Sequence, residues 1–113
     1  MKSVTLLNQI AATDSTFTLD DGYWTGKCLI CNGWISFDTQ TGYGANVEHI
    51  VPRVGGGGND LHNLGITHPG CNGEKGQHWD ARRRQRDPER YQALIQRLLD
   101  ERARRWCDPA PRP

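Results

Sequence analysis

Apolar side chains fall in short bursts along most of the chain and acquire a helical period only in its last third. Tyr91, Leu94, Ile95, Leu98, Leu99, Ala103 and Trp106 recur at helical spacing. Asp87 before them is a natural N-cap, Pro88 suits the first helical position, and Glu89 favours the positive end of a helix. A helix over about 88–106 is therefore predicted, with Arg90, Arg97, Arg102, Arg104 and Arg105 on its other faces. Pro109, Pro111 and Pro113 keep the tail non-helical. Upstream the pattern predicts shorter pieces. "LLNQI" reads as a short helix and "TFTL" as a strand, while "CLICNGWISF" reads as a tight turn followed by a strand through Trp34, Ile35 and Phe37. "ANVEHIV" has the β-branched content of a strand ending at Pro52, and "NLGIT" (63–67) reads as its returning partner across a glycine-rich loop. A short helix is expected from Asn72, with Gly76 as its stop.

Composition changes this picture in one respect. Only 35% of the 113 residues are hydrophobic, beside 13 glycines and 6 prolines. One domain of this length buries about two-thirds of its unfolded surface, and so thin an apolar complement calls for a staple. Cys28-x-x-Cys31 and His68-x-x-Cys71 supply a candidate. Each spacing lets one turn offer two adjacent corners of a tetrahedron, and two such turns close a structural Zn²⁺ site whose binding energy is folding energy. His62 and His78 are the reserve ligands, and Cys107 is expected to be a free thiol. The N-terminal stretch has one lysine, a broken apolar run and early acids, unlike a secretory signal. No apolar run approaches the ~20 residues of a membrane span. An intracellular protein of the cytoplasm or nucleoid is expected, a phage-encoded one included, and there cysteines serve metals more often than disulfides. The four tryptophans, Trp24, Trp34, Trp79 and Trp106, are expected in the core.

The stretch "EHIVPRVGGGGNDLHNLGITHPGCNGEKG" carries further chemistry. Phosphodiester hydrolysis needs a base to activate water and a cation to neutralise charge at phosphorus. His49 is a candidate base, while Glu48 and Asn72 offer hard oxygens of the kind Mg²⁺ takes. Glu48-His49-Ile50-Val51-Pro52, the glycine turn, Asn63-Leu64, Cys71-Asn72 and Lys75-Gly76 together resemble the HNH endonuclease signature in its HNN form, over roughly residues 28–76. That resemblance implies an α+β fold: a small ββα-metal core stapled by zinc, here followed by the C-terminal arginine-rich helix. It implies His49 as general base, Glu48 and Asn72 as ligands of a catalytic Mg²⁺ or Mn²⁺, Asn63 ordering the loop behind His49, and products ending in 5′-phosphate and 3′-hydroxyl. Glutamate at 48 departs from the family's usual aspartate, and His68 stands where many relatives have cysteine. Glu48 and His49 would point to opposite faces of a regular strand, so a strand end or irregular backbone is expected there.

The +1 net charge is unevenly spread. Residues 1–71 carry 3 basic and 6 acidic side chains, residues 72–113 carry 11 and 7. The basic end suggests DNA as partner, gripped mainly through its phosphates, with Arg53, Lys75, Arg82, Arg83, Arg84 and Arg86 as contact candidates. The expectation is a metal-dependent DNA endonuclease, monomeric or homodimeric, with no membrane partner. Its rival is a zinc-ribbon nucleic-acid-binding module whose catalytic metal site has decayed.

Overall fold

The computed structural model describes residues 3–81 and 85–109. Helix α1 (Val4–Ala12) is capped by the Ser3 hydroxyl, which accepts from the Leu6 N–H, and turns Leu7, Ile10 and Ala11 inward. Strands β1 (Thr18–Asp20), β2 (Tyr23–Lys27) and β3 (Trp34–Asp38) then form an antiparallel sheet in that order. Asp21 and Gly22 join β1 to β2 with positive φ at both positions (48° and 81°), the conformation of a two-residue hairpin turn.

No strand is expected from the pattern at β2, because its outward residues are Tyr23 and Thr25 and its one buried residue is Gly26. That glycine is fixed by packing: a Cβ there would lie 2.5 Å from the Phe17 ring.

The second sheet is a hairpin of β4 (Asn46–His49) and β5 (Leu64–Thr67), with Glu48 opposite Gly65 and His49 opposite Leu64. Helix α2 (Pro69–Lys75) follows directly and packs on β4, completing a ββα unit. Two expectations fail here. The helix starts at Pro69 rather than Asn72, because proline's fixed φ suits the first turn. Gly76 does not stop it: with φ −59° and ψ −48° it continues into a wide π turn over Gly76–Asp80, closed by the Ala81 N–H on the Gly76 carbonyl.

Helix α3 (Pro88–Arg105) begins as expected, with the Asp87 side chain accepting from the Arg90 N–H. Its inner face corrects the sequence reading. Ile95 and Leu98 are buried, and the stripe is continued by Arg102 and Arg105, which are 0% and 1% exposed, while Ala103 faces out. A charge at such depth is tolerated only with partners. Arg102 donates to the carbonyls of Leu64 and Thr13 and to the Thr13 hydroxyl, at 2.7–2.9 Å. Arg105 donates to Glu101 (2.7 Å), to the Lys27 carbonyl (2.8 Å) and to Asn32 Oδ1 (2.8 Å), with Asp14 at 3.6 Å.

One apolar cluster gathers α1, β3, β4 and β5 around Leu7, Ile10, Phe37, Val47 and Ile66. A second packs Leu29 and Ile50 against Ile95 and Leu98 of α3. The expectation of four core tryptophans fails at Trp34, which is 69% exposed with the Lys27 ammonium 3.7 Å over its ring. Among the described residues no helix is long and apolar enough to cross a membrane.

Candidate functional site

Two constellations share helix α2, which carries Cys71 of one and Asn72 and Lys75 of the other. In the first, the ligand atoms of Cys28, Cys31, His68 and Cys71 all lie within 4.8 Å of one another. The first turn is shaped by backbone bonds, Cys28 N–H to Gly33 O and Asn32 N–H to Cys28 O, both 2.9 Å, with Asn32 in the left-handed region at φ 60°. Gly33 N–H points at Cys31 Sγ (3.4 Å), and this bond leads the influences that hold the exposed Cys31 thiol down at about 7. His68 Nε2 lies 2.9 Å from the Trp34 carbonyl. A carbonyl only accepts, so Nε2 carries the proton and Nδ1 is the nitrogen turned to Cys31 and Cys71. Burial, followed by the nearby Cys28, pushes the Cys71 thiol up to about 12. Three thiols and one imidazole nitrogen converging in this way are the donor set of a closed tetrahedral Zn²⁺ site, and the residues fit that ion. His62 is not part of the group, since it stacks on Trp106 at 3.9 Å. Cys107 is a free thiol beside Ala12, and His78 lies outside the cluster too.

The second constellation lies where β4 ends. Glu48 and His49 are its last two residues, so the strand end expected there is present. Glu48 is 2% exposed and faces α2, where Asn72 Nδ2 donates to its Oε2 (2.9 Å) and Lys75 Nζ to its Oε1 (3.0 Å). Lys75 is one turn on from Asn72 and therefore on the same helical face. Its ammonium, 3% exposed, also meets the carbonyls of His49 (3.3 Å) and Ile50 (3.0 Å) and Asp80 Oδ2 (2.6 Å). Lys75 is thus an internal cation, not the surface phosphate contact expected of it. Tyr91 of α3 closes the network by donating to Asp80 Oδ1 (2.7 Å), and burial with that bond raises its own hydroxyl above the ordinary value. Glu48 is also raised, by burial first, against the opposing pull of Lys75.

His49 points the other way, with Nε2 2.8 Å from Asn59 Oδ1. Asn63 does not touch that ring. It accepts from Val51 N–H (2.9 Å) and donates to Val51 O (3.1 Å) and Gly58 O (3.0 Å), tying both sides of the glycine loop. The crossing is close enough that a Cβ on Gly57 would lie 1.8 Å from the Val51 carbonyl. Arg53 and Arg86 are exposed, whereas Arg82, Arg83 and Arg84 lie outside the described residues.

Glu48 and Asn72 suit a hard divalent cation in kind, being a carboxylate and an amide side by side. Glu48 and the half-buried Asp80 set two carboxyl groups against the single ammonium of Lys75. The signals for Asn59, Asp80 and Tyr91 are weak in the sequence, since each acts through a contact between segments distant along the chain. Lys75 had a signal, its three-residue spacing from Asn72.

Compared with known proteins, residues 28–78 match the model of the HNH endonuclease family, a stretch of just under half the chain. That stretch holds the four cysteine and histidine ligand candidates together with Glu48, His49, Asn59, Asn63, Asn72 and Lys75, while Asp80 and Tyr91 lie beyond it. No curated protein and no solved structure matches the chain.

Proposed function

Taking residues 28–78 as an HNH domain, we propose that the chain is a metal-dependent DNA endonuclease in which His49 takes the proton from the attacking water. One observation carries the reading. The end of β4 carries a half-buried imidazole next in sequence to a carboxylate that faces α2 and is already bonded to the Asn72 amide at 2.9 Å, the imidazole turning toward the glycine loop. Glu48 and Asn72 would hold the divalent ion, Mg²⁺ or Mn²⁺, whose charge would offset that developing on the scissile phosphate. The remaining work is done by the chain. The β-hairpin fixes the position of His49, Asn63 orders its loop, and zinc held by Cys71 would fix the neighbouring Asn72 on α2. Exposed Arg53 and Arg86 would meet DNA phosphates without reading bases. A monomer with one such site nicks, and cutting both strands takes a homodimer or a second event.

A second reading is favoured by the Lys75 ammonium on Glu48 Oε1: a zinc-stapled DNA-binding module in which lysine has taken the metal's place. Supercoiled plasmid with Mg²⁺ or Mn²⁺ separates the two. The nuclease reading expects nicking that EDTA and His49→Ala both abolish. Intact plasmid in every metal, with binding retained in gel shifts, would establish the module instead.

A further inference from the structure

The glycine loop brings one side chain to His49 that no motif position accounts for. Asn59 Oδ1 lies 2.8 Å from His49 Nε2, and Arg53 Nη2 approaches the same oxygen at 3.4 Å. An amide's oxygen and nitrogen are interchangeable in shape, so the assignment needs a chemical argument. Arg53 supplies it. A guanidinium only donates, so the Asn59 atom that it faces must be the acceptor oxygen. The His49 nitrogen on that same oxygen must then donate. Its proton is on Nε2, and Nδ1 is left with the lone pair.

The loop is built to deliver this contact. Gly56 takes φ 89°, which a side chain rarely adopts, and Gly57 passes under the Val51 carbonyl where a Cβ has no room. Asn63 then holds the Gly58 carbonyl at 3.0 Å, immediately before Asn59. Asn63 therefore acts on His49 at one remove, and Asn59 makes the contact.

We propose that Asn59 is a positioning residue: its side-chain oxygen, shared with Arg53, holds the Nε2–H tautomer of His49 and aims Nδ1 as the nitrogen that accepts the proton from water. This rests on the nuclease reading for its consequence, but not for its geometry. It also gives Arg53 a part in the site, since its guanidinium is anchored within two bonds of the imidazole.

The test uses the full zinc-loaded chain, labelled with ¹⁵N, at a pH where histidines are neutral. Imidazole nitrogen shifts should show His49 as Nε2–H, with that proton protected from exchange and observable. Asn59→Ala should lose the protection and lower kcat on plasmid by roughly 10²-fold, the cost of a misaimed reacting group, with KM within about twofold and zinc content unchanged. Asn59→Asp, which keeps an acceptor, should retain both the protected proton and most of kcat. An Nδ1–H signal in the wild type overturns the proposal, as does an Asn59→Ala protein that keeps either the protection or the wild-type kcat. If Asn59→Ala does not fold, the wild-type tautomer and Asn59→Asp decide. If the wild type cuts no plasmid, the nuclease reading fails, while the spectra still decide what Asn59 does.

Discussion

Lys75 Nζ lies 3.0 Å from Glu48 Oε1, and both side chains are 3% exposed. The carboxylate proposed to hold the divalent ion is thus neutralised in part by the helix that also carries its amide partner, Asn72. Two consequences can be measured. Lys75→Met leaves Glu48 and Asp80 buried together without their cation and should cost about 3–5 kcal/mol of unfolding free energy. Glu48→Gln should behave oppositely. Burial raises the Glu48 pKa above its ordinary 4.5. A carboxyl raised in the folded state stabilises fully below the unfolded value, and that contribution is lost as pH rises through the folded one. At neutral pH Glu48→Gln should therefore be at least as stable as wild type in urea while cutting no plasmid. A less stable Glu48→Gln protein would show that the Lys75 pair outweighs burial.

Glu101 carries the reverse sign. The bond from Arg104, then that from Arg105, holds its carboxyl down at about 2 against an ordinary 4.5. Its stabilisation is present above the unfolded value and is lost as pH falls through about 2. Glu101→Gln should thus have a lower Tm than wild type at pH 7, and the gap should narrow as acid is added from about pH 4.5 downward. A gap that stays constant across that range refutes the assignment.

Zinc removal should unfold more than the turns that bind it. Metal analysis should find about one zinc per chain, the stoichiometry of one closed four-ligand site. Cys28→Ser should lose zinc, cooperative melting and plasmid cleavage together, because Cys71 and Asn72 are consecutive on α2. A folded, zinc-free wild type would contradict this.

The arginines of α3 divide into two kinds that salt titration can separate. Arg102→Met strands buried acceptors at Leu64 and Thr13 and should cost at least about 3 kcal/mol. It should leave the salt dependence of DNA binding unchanged in whatever protein remains folded. Arg97 and Arg104 are exposed. If they meet phosphates, removing either should lower the slope of log K against log salt by about one, with little change in stability for Arg97 and with loss of the Glu101 bond for Arg104. Equal slopes for all the variants would take α3 out of the DNA surface.

Much of this was legible in residue order. Asp87-Pro88-Glu89 announced the start of α3, and Cys28, Cys31, His68 and Cys71 converge as their spacing implied. The readings that failed share a physical cause. An arginine on a helix looks the same in sequence whether it faces water or buried acceptors, so nothing local marks Arg102 and Arg105 as interior. Lys75 is alike in this, because its partner Asp80 comes within reach only when Gly76 carries the helix onward through a π turn. Strand β2 has no alternating pattern because tertiary packing on Gly26 selects it. The role of Asn59 depends on how a glycine loop closes, which no local pattern encodes.

Helix α3 does more than cover a second cluster. Through Arg102 it grips Thr13 at the end of α1, and through Arg105 it grips the Lys27 carbonyl and Asn32 in the first cysteine turn. Asp14 and Trp106 form a β-bridge, so the segment that opens the fold is tied to the segment that closes it. These two guanidinium clasps join the clusters, since α3 carries Ile95 and Leu98 of one while its arginines bond Leu64, Thr13 and Lys27 around the other. A chain with so little apolar surface is thereby fastened by buried polar bonds as well as by packing.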